Sequence, residues 1–143
     1  MTYLACMTRI ARILLGLVFV VFSANYFVPF LPAPSSMPPG ALAFAMAFVG
    51  SGMMTVIKVI EMAAGLALIA NRFTPLALAL LAPIVVGITL FHALLEPSGM
   101  PIAGAVLALE LFLAWSYRRA YAPMLKARVV PQEAAPAPVL RVA

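Results

Sequence analysis

The chain has 143 residues, of which 66% are hydrophobic and only 9% are charged, and its formal net charge is +5. Soluble domains contain about 45–50% apolar and about 25% charged residues, so this composition excludes a water-soluble fold of this size. All basic residues except Lys58 flank apolar stretches, so the positive charge indicates membrane topology and not a nucleic-acid partner.

The first predicted membrane span covers residues 10–30. Crossing about 30 Å of hydrocarbon takes about 20 residues of helix, and this stretch is interrupted only by Arg12, Ser23 and Asn25. Prolines end it from Pro29 onwards, because proline cannot donate the next helical hydrogen bond.

The apolar stretch that follows is too long for one upright span. The sequence Gly50-Ser51-Gly52 is a natural break, so we predict a span at 53–70, preceded by a short extra helix at 41–49 on or near the outer face. A single long bent helix is the alternative.

Two further spans are predicted at 75–95 and 101–117. Pro75 stands near the start of the former, where a missing backbone N–H has no cost. Trp115 and Tyr117 close the latter, and both residue types favour the membrane interface. The fold class is therefore an all-α, four-helix transmembrane bundle over residues 1–123, followed by a disordered tail at 124–143.

Basic residues set the predicted orientation. They precede the first span, lie between the second and third, and follow the fourth, whereas loops 31–52 and 96–100 have none. The positive-inside rule then places both termini in the cytoplasm, in a bacterial inner membrane. The residues concerned are Arg9, Arg12, Arg72, Arg118, Arg119, Lys126, Arg128 and Arg141.

Five polar residues within the predicted spans are the candidate functional residues. A charge at a helix centre costs about 2.5–3.5 kcal/mol on insertion, so such residues usually face a polar interior and have a function. Counted by depth, all five fit one cluster built by the four helices. The alternative is structural: Lys58 and Glu61, at i,i+3, neutralise each other. The five residues are Asn25, Lys58, Glu61, His92 and Glu110.

Several segments together resemble the DoxX family of small four-helix membrane proteins. They are residues 12–19, 31–34, 52–68, 71–78, 81–83 and 91–92, spread over most of the chain. The chain departs from the family pattern at Gly87, where Asn is usual, and at residues 23–26, where a Gly-rich turn is usual. The resemblance implies a four-helix bundle and a link to quinone-dependent redox complexes.

Three functions fit these observations. The first is an accessory or quinone-contacting subunit of a membrane redox complex, not catalytic alone, because a single His and a single Cys, Cys6, supply neither a haem ligand pair nor a thiol pair. The others are a scaffold or assembly protein with a structural polar cluster and a small proton-coupled transporter. We expect no metal, a bound quinone as the only cofactor, and lipid plus further copies or redox subunits as partners.

Overall fold

The computed structural model describes residues 3–32 and 36–128. Within these ranges the secondary structure is entirely helical, without a strand, so the predicted all-α class is confirmed. Most of the tail predicted at 124–143 lies outside the described residues. The α-helices are α1 (Tyr3–Phe27), α2 (Pro39–Gly50), α3 (Met53–Ile69), α4 (Thr74–Leu94), α5 (Met100–Ser116) and α6 (Arg118–Tyr121), with 3₁₀ turns at Pro97–Gly99 and Ala122–Leu125.

Three stretches are long and apolar enough to cross a membrane: α1, α4, and α5 with the turn before it. The bent pair of α2 and α3 makes a fourth if it counts as one span. By itself α3 has 17 residues, which gives about 26 Å at 1.5 Å per residue, slightly less than the hydrocarbon thickness. The chain is thus compatible with a multi-pass membrane protein.

The first helix differs from its predicted bounds. It begins at Tyr3 rather than at residue 10 and ends at Phe27 rather than at residue 30. The earlier end is explained by Pro29, which restricts Val28 to extended conformations. Because of the earlier start, Arg12 lies well inside the helix and not in its first turn.

The break between α2 and α3 lies at the predicted glycine-containing sequence. The two helices are bent by 82° relative to each other, and Gly52 adopts a left-handed conformation with φ +78°. Glycine adopts this conformation without steric penalty, whereas most residues do not. A separate helix around 41–49 is therefore present, extending from Pro39 to Gly50.

Helix α1 packs most extensively against α3, and α4 packs against α5; α3 also contacts α4, and α1 contacts α5. Between them lies an apolar core that includes Leu15, Phe19, Leu68, Leu81 and Leu113. The outward faces carry many exposed large apolar side chains. In water such a surface would drive aggregation, whereas lipid tails solvate it.

Helices α1 and α3 approach each other closely at Gly16 and Gly65. A Cβ atom at either position would lie 2.8 Å from the backbone oxygen of the other glycine. The sequence places Ala64 and Gly65 on a small-residue face, which is how membrane helices pack closely. This contact sets the distance between α1 and α3 and, with it, the position of Glu61.

Candidate functional site

The centre of the site is Glu61, whose side chain is only 2% exposed. Its Oε2 atom accepts hydrogen bonds from Lys58 Nζ at 2.7 Å, within α3, and from Ser23 Oγ at 3.1 Å, across to α1. Ser23 is a residue that the sequence prediction missed. It lies seven residues, or two helical turns, after Gly16, and that spacing places it on the face of α1 that meets α3.

Lys58 and Glu61 keep unused hydrogen-bonding capacity. Both recorded hydrogen bonds of Glu61 go to Oε2, and among the described residues none reaches Oε1. The Lys58 ammonium has three N–H donors and uses one of them on Glu61. The pair is neutral as a whole, so it can offer both a donor and an acceptor to a ligand without attracting a net charge.

His92, near the end of α4, is held by the turn that follows. Its Nδ1 atom lies 2.9 Å from both the backbone oxygen and Oε2 of Glu96. Glu96 also accepts hydrogen bonds from the Ser98 hydroxyl and, at 3.1 Å, from the Gly99 N–H. The Ser98 hydrogen bond is the main cause that lowers the pKa of Glu96, with smaller contributions from His92 and Gly99. Glu96 is therefore a carboxylate at neutral pH.

Glu96 is the second residue that the sequence prediction missed. Its i,i+4 spacing from His92 could have predicted this contact, because side chains at this spacing are neighbours on a helical surface. Glu96 was not included because the predicted bounds place it in the outer loop, and the predicted cluster contains only residues within the membrane spans.

A cavity of about 370 Å³ brings Lys58, Glu61 and His92 together. It lies between α2, α3 and α4, and its other walls are mainly aromatic and aliphatic. Phe44 of α2 packs against Phe91 of α4 with ring centroids 5.7 Å apart, so α2 forms one wall. The apolar lining includes Phe44, Phe48, Met54, Ile84, Ile88 and Phe91.

A second cavity of about 190 Å³ lies on the other side of the same polar residues. Helices α1 and α5 contribute Phe19, Phe22, Ile102 and Val106 to its lining, and Lys58, Glu61 and His92 line it as well. The three polar side chains therefore stand where the two cavities meet. Together the cavities have the size and the mostly apolar character of a small-molecule site.

The predicted cluster of five residues is only partly realised. Asn25 does not line either cavity. Its side-chain oxygen accepts hydrogen bonds from the N–H groups of Phe30 at 2.9 Å and Leu31 at 2.7 Å. It thus supports the chain where α1 ends.

Glu110 is also outside the cluster. It is 4% exposed and lines neither cavity, and its Oε2 atom has no partner among the described residues. Burial, and secondarily the Glu110 charge, raise the pKa of Tyr121, whose hydroxyl donates to the Pro75 oxygen at 2.8 Å. Glu110 is thus a buried carboxyl group of α5 that is separate from the residues lining the two cavities. The depth of a residue in the membrane, counted along the sequence, could not distinguish Glu110 from Glu61. Depth contains no information on how each helix is rotated about its axis.

Arg12 has a structural role that the sequence does not reveal. It is 6% exposed, and its guanidinium donates to the backbone oxygens of Leu68 and, at 3.2 Å, Ile69. These carbonyls belong to the last turn of α3, where backbone oxygens lack helical partners and a positive charge is favourable.

Arg12→Ala is expected to lower the free energy of unfolding by about 1.5–3 kcal/mol, the usual loss for a buried hydrogen bond to a charged group. Arg9→Ala is the matched control. It removes the same positive charge from the same helix, but the Arg9 side chain is exposed. Both are compared with the unaltered protein by SDS titration in mixed micelles. Equal stability of the two variants would contradict this role for Arg12.

Searches of protein-family models, of curated proteins and of solved structures find no match to this chain. Within residues 3–32 and 36–128 no three His, Cys, Asp or Glu side chains are grouped as a metal site would require. The chemistry of the polar residues and of the two cavities is therefore the basis for assigning a function.

Proposed function

We propose that this chain is a DoxX-like protein of the bacterial inner membrane that binds the head group of a quinone as an accessory subunit of a membrane redox complex. In this proposal the chain forms a four-helix bundle with both termini in the cytoplasm, and α2 lies at the outer face. The arginine-free loops between α1 and α3 and between α4 and α5 support that orientation.

The observation that carries the proposal is the shape and chemistry of the larger cavity. Its walls are apolar and aromatic, as a lipophilic ligand requires, and its polar groups are confined to Lys58, Glu61 and His92. Such a site favours a ligand with a flat, uncharged, hydrogen-bonding head and an apolar tail. Quinones are membrane-soluble molecules with this combination, and the family resemblance points to the same class.

The charge balance of the site supports an uncharged ligand. Glu61 already neutralises Lys58 at 2.7 Å, and Glu96 lies 2.9 Å from His92. An anionic ligand would have to compete with Glu61 for the lysine, and a cationic one would have to compete with Lys58. A neutral head group displaces neither and uses only the free donors and acceptors.

Gly87 gives a direct test of the cavity. It lines the larger cavity, and a Cβ atom there would meet nothing within 4 Å. The aromatic ring of Gly87→Phe is therefore expected to occupy part of the cavity. Gly104 of α5 also has open space around a Cβ atom but lines neither cavity. Gly104→Phe is therefore the matched control.

The three proteins are purified from native membranes in mild detergent, and the quinone and protein that copurify are quantified by mass spectrometry. We expect near-stoichiometric quinone on the unaltered chain and on Gly104→Phe, and at least tenfold less on Gly87→Phe. Copurifying dehydrogenase or oxidase subunits would identify the complex. Quinone absent from all three, or unchanged in Gly87→Phe, would refute the proposal.

A scaffold protein is the second candidate, because the polar residues also bond to one another. Lys58, Glu61 and Ser23 connect α1 and α3, and Glu96 connects His92 to the turn before α5. For a scaffold, Gly87→Phe would leave the copurifying protein subunits unchanged and no quinone would be found on any of the three proteins.

A further inference from the structure

The geometry around His92 defines which ring nitrogen carries the proton. Both atoms near Nδ1, the Glu96 backbone oxygen and the Glu96 carboxylate, lie at 2.9 Å and are hydrogen-bond acceptors. A backbone oxygen can only accept, so Nδ1 must donate. The neutral imidazole is then the Nδ1–H tautomer, and Nε2 has a free lone pair.

The turn before α5 holds the imidazole in this orientation. The Glu96 carboxylate is itself fixed by the Ser98 hydroxyl and the Gly99 N–H. The ring also lies against Gly99 so closely that a Cβ atom at that position would overlap the imidazole. Glu96 and Gly99 therefore position His92 in the way that a carboxylate orients a catalytic or metal-binding histidine.

The remaining nitrogen, Nε2, is the ring nitrogen left for a ligand. The His92 side chain lines both cavities, and among the described residues no hydrogen-bond partner reaches Nε2. The other charged groups facing the cavities are Lys58 and Glu61 of α3, because the lining residues from α1, α2 and α5 are uncharged. The site thus offers two free acceptors, His92 Nε2 and Glu61 Oε1, and one free donor group, the Lys58 ammonium.

We infer that Glu96 is a positioning residue that fixes His92 with its Nε2 lone pair toward the ligand, so that the site binds the reduced quinol in preference to the quinone. The choice of ligand rests on the proposed function, whereas the tautomer of His92 does not. A quinol hydroxyl donates to Nε2 or to Glu61 Oε1 and can still accept from Lys58. A quinone carbonyl only accepts, so it leaves both acceptors without partners.

The size of the preference follows from the cost of an unpaired buried acceptor. One such group weakens binding by about tenfold or more. We therefore expect the quinol to bind at least about tenfold more tightly than the quinone of the same ring and tail.

His92 can be observed directly because it is the only histidine in the chain. Protein labelled with ¹⁵N at histidine and placed in lipid nanodiscs gives one pair of imidazole ¹⁵N signals, and their couplings to the ring protons identify the tautomer. At pH 8 we expect the Nδ1–H pattern. An Nε2–H pattern in the unaltered protein would overturn the inference.

Three variants and one control separate positioning from general stability. Glu96→Ala removes the carboxylate but leaves the backbone oxygen of residue 96 as one acceptor for Nδ1. Part of the signal, but not all of it, is therefore expected to shift to the Nε2–H tautomer, which a solvated histidine side chain prefers. Glu96→Gln retains an amide oxygen that can accept from Nδ1 and is expected to restore the original pattern. Gly99→Ala is expected to displace the ring and broaden or shift both signals, whereas Gly104→Ala leaves them unchanged. An unchanged spectrum in Glu96→Ala would overturn the role of Glu96.

The ligand is tested on the same sample under anaerobic conditions. A benzoquinol with a short isoprenoid tail is titrated into the nanodiscs, and its oxidised form is titrated separately. We expect the quinol to move the Nε2 signal at concentrations about tenfold lower than the quinone. Equal or stronger binding of the quinone would overturn the preference. Binding of neither, with the Nδ1–H tautomer intact, would refute the proposed quinone function and leave the positioning by Glu96 standing.

Discussion

Replacing Gly16 by valine is expected to destabilise the protein by about 3 kcal/mol or more, the upper range for overpacking a close contact. A side chain at this position would meet the Gly65 backbone oxygen at 2.8 Å and Ile69 Cγ1 at 2.8 Å. Backbone atoms cannot move aside without moving the helix, so α1 and α3 would have to separate. Separation would also weaken the Ser23 to Glu61 hydrogen bond and those of Arg12 to α3.

The control for this substitution is Gly104→Val. It introduces the same β-branched residue into another apolar helix, where a Cβ atom meets nothing within 4 Å. Its effect is therefore that of helix propensity alone, a gain of roughly a few tenths of a kcal/mol, because valine is a slightly better helix former than glycine. Stability is measured by SDS titration, with the loss of helical circular dichroism as the signal. If the two variants have the same free energy of unfolding, α1 and α3 do not approach each other as closely as Gly16 and Gly65 indicate.

Replacing Glu61 by alanine is expected to lower the free energy of unfolding by about 3–5 kcal/mol, because it leaves a partly buried charge without its partner. The Lys58 side chain is 17% exposed, so its ammonium can shift toward solvent and bring the loss to the lower end of this range. Ser23 also loses the acceptor that connects α1 to α3.

The double variant Lys58→Met with Glu61→Leu tests whether charge imbalance is the cause. Replacing both partners of a buried ion pair by apolar residues of similar size is often neutral or stabilising, so the double variant is expected to lie within about 1 kcal/mol of the unaltered protein. It is also expected to retain little quinone, because the free donor group on Lys58 and the free acceptor on Glu61 are both gone, and only His92 remains as a polar group in the cavities. A double variant less stable than Glu61→Ala would show that Lys58 and Glu61 contribute to folding independently.

The apolar stretches predict the helices closely, because the length and apolar content of a helix are properties of a short segment. The helices α3, α4 and α5 begin and end within about one residue of their predicted bounds. The glycine-containing break before Met53 is also local, since only glycine takes a left-handed conformation freely. The end of α1 lies at Phe27, before its predicted position, because Pro29 restricts the residue that precedes it as well as ending the helical hydrogen bonds.

Part of the site follows from spacing within one helix. Lys58 and Glu61 are three residues apart, and this separation brings their side chains together whatever surrounds the helix. The small-residue face that includes Gly65 was visible for the same reason, and it does pack against α1. Placing Glu110 with Glu61, in contrast, depended on how two different helices are rotated, and Glu110 does not line the cavities that Glu61 lines.

By itself the sequence determined that this chain is helical, that it carries enough apolar stretches for a membrane, and which few polar residues lie within them. Only the tertiary structure decided that Ser23 reaches Glu61, that Arg12 turns inward to the end of α3, and that Glu96 holds His92. The physical reason is that these helices are apolar almost all round. A helix without a strongly polar face carries little local information on its rotation. The rotation of each helix about its axis is set by close contacts with neighbouring helices, such as that of Gly16 with Gly65. These contacts exist only in the packed molecule.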